Sequence, residues 1–161
     1  MFKENNRVVD LGNELPPRHM KDEPHISYEA DPDEYYTLIM IDPDAPRRKN
    51  PIQKEWQAWL VVNIPGSRVK DGETLTEYIP PCPVNFTGFH RFVFLVYQQP
   101  NRLDFNEPYK SNTDVTNRIN FSTKRFARKY GLGDPIAGNF FQAEYDESVP
   151  ECLRKAMFPG K

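Results

Sequence analysis

Three apolar runs constrain this chain more than any other feature: "YYTLIMI" at 35–41, "WQAWLVVNI" at 56–64 and "HRFVFLVYQ" at 90–98. Each is rich in β-branched and aromatic residues and bounded by Pro or Gly, which predicts strands. Strands that are apolar nearly throughout are covered on both faces. Shorter strand candidates lie at 7–11, 24–29 and 76–79, and "GNFFQAEYD" at 138–146 adds one more. "INFSTKRFARKYGLG" reads as a helix, with Ser122 as N-cap, Phe126 and Tyr130 on one face and Gly131 as the stop. A second short helix is expected from about Pro150 to Met157, ended by Pro159-Gly160. Strands first, then helix, strand and terminal helix predict a mostly-β domain with one or two helices at its C-terminal end.

At 161 residues the chain is expected to form a single domain over 1–161. Hydrophobic residues at 38% and charged residues at 27% fit a soluble globular protein. A net charge of -2 argues against direct nucleic-acid binding. No apolar run approaches the roughly 18 residues of a transmembrane segment. "MFKENNRVVDLGNELPP" contains no apolar leader core, so a cytoplasmic location is expected, with secreted and mitochondrial locations left open. Sixteen prolines against 8 glycines predict stiff loops. Cys82 and Cys152 have no CxxC spacing, so no metal is expected, and as read they are two separate packing residues.

Three segments at strand edges carry the chemistry. Asp42-Pro43-Asp44-Ala45-Pro46 leaves the first run, Glu55-Trp56 opens the second, and "PPCPVNFTGFHRF" leads through Gly88 to His90-Arg91. A carboxylate beside an imidazole orients the ring, and Asp42 with His90 between Pro46, Trp56 and Pro83 would make a small polar-bottomed cup. Each residue alone has a structural reading. Asp-Pro-Asp is an ordinary turn, His90 a hydrogen-bonded strand residue, Trp56 core, and Arg91 a salt-bridge partner of Asp44. Arg47-Arg48-Lys49 reads as a solvated loop.

Taken together, "DPDAPRRKNP…EW", "TGFHRFVFLVYQ" and "FARKYGLGDPIAGNFFQAEYDESVP" resemble the phosphatidylethanolamine-binding protein family, which includes the Raf kinase inhibitor proteins. The resemblance runs from about Leu11 onward, with an N-terminal segment shorter than is usual. It implies a large antiparallel sheet packed on a smaller sheet, with helices at the C-terminal end. It also implies a monomeric, non-enzymatic binding protein without cofactor, taking a small anionic or phosphorylated ligand at Asp42, Pro46, Trp56, Pro83 and His90. Asp44, Arg91, Cys82 and Gly88 would frame that pocket. A kinase, a protease or a large complex would be the protein partner. The family tends to a cis peptide at Ala45-Pro46. It also places Cys82 and Cys152 on the border of one pocket, where a bond requires Cα atoms within about 7 Å.

The chain departs from the family at three positions. Ala58 stands where a second histidine is usual, Gln53 and Phe92 where tyrosines are. A less polar, partly closed pocket is expected. "NIPGSRVKDG…EYIPPCP" is also similar to a protein of the mitochondrial large ribosomal subunit, which makes a structural or interaction protein with a vestigial pocket the alternative. A hydrolase is disfavoured, since the sequence places no Ser or Cys nucleophile beside His90.

Overall fold

The computed structural model describes residues 7–157. The three apolar runs are the strands β2 (Tyr35–Asp42), β3 (Trp56–Pro65) and β5 (His90–Gln98); β1 is Asn13–Glu14, β4 Glu73–Thr76 and β6 Ala137–Ala143. They form one six-stranded sheet in the order β1-β6-β5-β2-β3-β4. Every neighbouring pair is antiparallel except β1 with β6, where Asn13 lies opposite Phe141 in parallel. The sheet is therefore mixed, with β2 at its centre.

Both faces of the sheet are covered, which is why β2 and β3 are apolar without alternation. Leu38, Met40, Phe92, Phe94 and Phe141 face one way, and Val9, Leu15, Met20, Ile26 and Tyr28 from the N-terminal segment pack on them. Ile39, Ile41, Leu60 and Tyr97 face the other way, under Leu103, Phe105, Phe126 and Leu132. The layer expected as a smaller sheet consists, among the described residues, of extended segments and short turns. Positions 7–11 and 24–29 are not strands, and β4 overlaps the 76–79 candidate only at Thr76. The reason is placement. The 24–29 segment docks Ile26 and Tyr28 on the sheet face, where its backbone cannot reach the ladder, whereas the 7–11 backbone lies beside β6 and bonds to the Asn139 side chain, at the Leu11 N–H and the Val9 carbonyl, in place of a ladder.

Helix α1 (Thr123–Lys129) begins as read: the Ser122 hydroxyl accepts the Arg125 N–H at 3.2 Å, and Gly131 takes φ +64° after it. Glu55 adds a second cap, accepting from the Thr123 N–H at 2.7 Å and the Thr123 hydroxyl at 2.6 Å. Helix α2 (Val149–Met157) starts one residue before Pro150, and its expected stop at Pro159-Gly160 lies outside the described residues.

The antiparallel register brings the site together. Asp42 ends β2 directly opposite Trp56, which opens β3, while Ile41 pairs with Val93 near the start of β5. Asp42, Trp56 and His90 therefore meet at one end of the sheet.

Candidate functional site

Asp42 and His90 are both buried, and His90 Nδ1 lies 2.7 Å from Asp42 Oδ2. The other Asp42 oxygen accepts the Asp44 N–H at 2.8 Å, so the carboxylate is held by its own turn. The His90 ring stacks on Phe92 at 6.3 Å, and Phe92 stacks in turn on Phe141. His90 Nε2 points to the preceding loop, where Thr87 Oγ1 meets it at 2.8 Å. The same hydroxyl lies 2.6 Å from the Val84 carbonyl. It has one proton to give. Donated to Val84, that proton leaves Nε2 as the donor to Thr87; donated to Nε2, it leaves the Val84 carbonyl without it. Gly88 follows with φ +75°, and nothing lies within 4 Å of where a Cβ would sit. Glycine is required there by backbone conformation, not by space.

Asp44, 1% exposed, braces the loop. Arg91 donates to it from its backbone N–H at 2.8 Å, from Nε at 2.9 Å and from Nη2 at 2.7 Å. Burial alone would push the Asp44 carboxyl up, but the Arg91 hydrogen bonds and charge outweigh it and hold it below its ordinary value. A carboxyl depressed in the folded state contributes stability above its unfolded pKa of about 3.9 and loses it as pH falls through the folded value. Asp44→Asn is therefore expected to cost about 2–3 kcal/mol at neutral pH, since Arg91 is partly exposed and can rehydrate. Its deficit against wild type should shrink as pH falls below about 4. Thermal melts from pH 7 down to pH 2 check this; a deficit constant across the range would remove the ion pair from the explanation.

Pro46 follows Ala45 through a cis peptide, as the resemblance implied. Pro46 is half-buried and Pro83 buried, on the two loops that flank the acid–imidazole pair. Trp56 is half-buried, with the Arg118 guanidinium 5.5 Å from its ring centroid. Ala58 is 1% exposed and packs in the core with Tyr78, Phe92 and Ala143. An imidazole at position 58 would have to displace those side chains rather than fill a cup.

Arg118 was not singled out from the sequence. It is fully buried and donates five hydrogen bonds to backbone carbonyls, of Asp114 (2.7 Å), Gln57 (3.2 Å), Ala58 (3.0 Å), Glu77 (2.8 Å) and Ser111 (2.7 Å). Burial pulls its pKa down to about 10, while the charges of Asp114 and Glu77 act the other way. It remains a cation at neutral pH and fastens the 111–118 segment to β3 behind Trp56.

Cys82 and Cys152 are disulfide-bonded, with Cα atoms 6.3 Å apart. The reading of two separate packing residues is thus replaced by the pairing that the resemblance allowed. The bond ties α2 to the loop that carries Pro83 and Thr87.

The cavities of the described surface include the following three. One, of about 300 Å³, lies between Tyr78, Pro80, Pro81, Ser148 and Cys152. One, of about 750 Å³, lies between residues 18–28 and the β5–β6 face. One, of about 510 Å³, lies between Arg47-Arg48-Lys49 and Phe86-Thr87-Gly88-Phe89. None of these three is lined by Asp42, Pro46, Trp56, Pro83 or His90; the third reaches Thr87, which covers His90. Among the described residues no group of three or more His, Cys, Asp or Glu is placed to hold a metal ion. No helix there is long and apolar enough to cross a membrane.

The mostly-β fold and the sequence together place this domain in a known class. The family model for phosphatidylethanolamine-binding protein matches residues 5–141. The chain is 40% identical over 151 residues to "Putative odorant-binding protein A5" of Drosophila melanogaster, covering 94% of this chain and 72% of that protein. Among solved structures, the solution structure of CG7054 is similar with a TM-score of 0.74 and 43% identity, over 92% of this chain and 84% of that one. The carboxypeptidase Y inhibitor, solved in complex with its cognate proteinase, is similar with a TM-score of 0.72 and 27% identity, over 86% and 78%. The chain belongs to the phosphatidylethanolamine-binding protein family.

Proposed function

We propose that this chain is a non-enzymatic binding protein that takes a small anion or phosphate-bearing head group where Asp42 and His90 meet. It would act on a protein partner, a kinase or a protease, through the loops around that point. One observation carries the reading. Asp42 orients His90 through Nδ1, and Nε2 is turned to the loop, where a neutral hydroxyl is its partner. A phosphate oxygen accepts from the same nitrogen in a charge-assisted bond about twice as strong as a neutral one. The similarity to an odorant-binding protein supports a small ligand, and the similarity to a proteinase inhibitor supports a protease as partner.

Asp42, His90 and Thr87 are connected in the order of an acyl-transfer triad. Thr87 lies closer to the Val84 carbonyl than to the imidazole, which favours a cap over a nucleophile.

The second reading, a vestigial pocket in an interaction protein, is favoured by the same closure: both ring nitrogens of His90 already have partners within the chain. Calorimetric titration with phosphoethanolamine separates the two. Wild type should bind weakly. Thr87→Ala, which uncovers Nε2, should bind up to about tenfold more tightly, one hydrogen bond's worth. His90→Gln should lose the binding. No heat of binding in any of the three proteins would establish the vestigial reading.

A further inference from the structure

We propose that the 47–49 and 84–89 loops form a docking tip for anionic membrane surfaces, with Phe86 as its inserting side chain. Phe86 is 92% exposed, and its neighbour Val84 is also exposed. A bulky residue in the left-handed region is a rare conformation, and Phe86 stands at φ +68°. Local bonds hold it there: the Thr87 N–H and hydroxyl both donate to the Val84 carbonyl, at 3.3 and 2.6 Å. The Phe86 N–H donates to the Asn85 side chain at 3.0 Å. The loop thus presents an aromatic ring outward from a braced turn.

Across a shared cleft stand Arg47, Arg48 and Lys49, all exposed. Their nearest acids in sequence are engaged elsewhere, Asp42 with His90 and Asp44 with Arg91. None of the three forms an ion pair among the described residues, and only Arg48 acts through space on Asp44, on a chain whose net charge is -2. Apolar side chains standing clear of the surface beside exposed cations outside any ion pair suit a lipid interface. The ring enters the acyl boundary while the long basic side chains reach the phosphates. A protein partner would instead need an acidic surface with a concave pocket for Phe86. The tip adjoins the Asp42–His90 pair through Thr87, but the lipid contact uses Phe86 and the three cations and does not require His90 to take an anion.

Flotation with vesicles of phosphatidylcholine containing about one-third phosphatidylserine tests it, against phosphatidylcholine alone. Wild type should bind the anionic vesicles and not the neutral ones. Each cation near an anionic surface contributes about fivefold in partition, so Arg47→Glu, Arg48→Glu and Lys49→Glu together should lower binding by at least about 100-fold. Phe86→Gly should lower it roughly tenfold while leaving the melting temperature equal or higher, because glycine tolerates φ +68°. Phe86→Trp should keep binding, and its emission should shift to the blue on the anionic vesicles. Failure of wild type to bind overturns the proposal. So does full binding by Phe86→Gly, since the contact would then be one of charge alone, of the kind an acidic protein surface makes.

Discussion

Arg118→Leu is expected to remove about 5 kcal/mol of stability, a large part of the 5–15 kcal/mol that a domain of this kind has in total. The five carbonyls it serves belong to β3, to residue 77 after β4 and to residues 111 and 114. Leucine fills much of the volume and donates nothing. Each buried carbonyl left without its partner costs about 1 kcal/mol or more. The Ala58 carbonyl keeps a second donor in the Ile79 N–H, which moderates the loss there. Arg118→Lys keeps the charge but offers three donors from one point, so it should recover less than half of the loss. Urea unfolding of the three proteins measures this. A leucine variant within about 1 kcal/mol of wild type would show that the segment is held by packing alone.

Cys82→Ser is expected to lower stability by roughly 4 kcal/mol in the chain-entropy treatment, because the bond closes a loop across 70 positions. For a domain of this size that corresponds to a fall of about 10 °C in melting temperature. Cys152→Ser should match it, and the double variant should lose no more than either single one. Wild type in reductant should melt with the variants. Such a bond persists in oxidising compartments and is reduced in the cytosol, so this comparison also decides whether the protein depends on where it is kept. The consequence for the site is local. Without the bond, α2 is joined to the Pro80–Thr87 loop by fewer constraints, and the cap on His90 should open more readily. A reduced protein as stable as the oxidised one would show that the bond adds nothing to the fold.

The strands β2, β3 and β5 were legible because their composition alone carries them. The start of α1 was legible because Ser122 caps it as local chemistry dictates. Asp44 with Arg91 could be read as a structural pair from charge and position, and Asp42 with His90 followed once the two motifs were seen together. What could not be read is non-local. Arg118 sits in "NTDVTNRIN", which looks like a wet loop, and its burial is defined by carbonyls at 57, 58, 77 and 111 that no sequence pattern joins to it. Segments 7–11 and 24–29 have strand-like apolar residues, but Val9, Ile26 and Tyr28 dock on a sheet face while Val8 and Leu11 stay exposed. Thr87 was visible only as part of a turn before His90. Its role as a cap depends on the turn folding back onto the ring, which the sequence does not specify.

The most direct measurement of the proposed function is the nitrogen NMR spectrum of the His90 ring during a phosphate titration. Anion binding at this site predicts that the Nε2 resonance moves with phosphate concentration while Nδ1, held by Asp42, moves little, and that Thr87→Ala responds at lower phosphate. A His90 ring whose two nitrogens stay unmoved to saturating phosphate, in wild type and in Thr87→Ala alike, would contradict it.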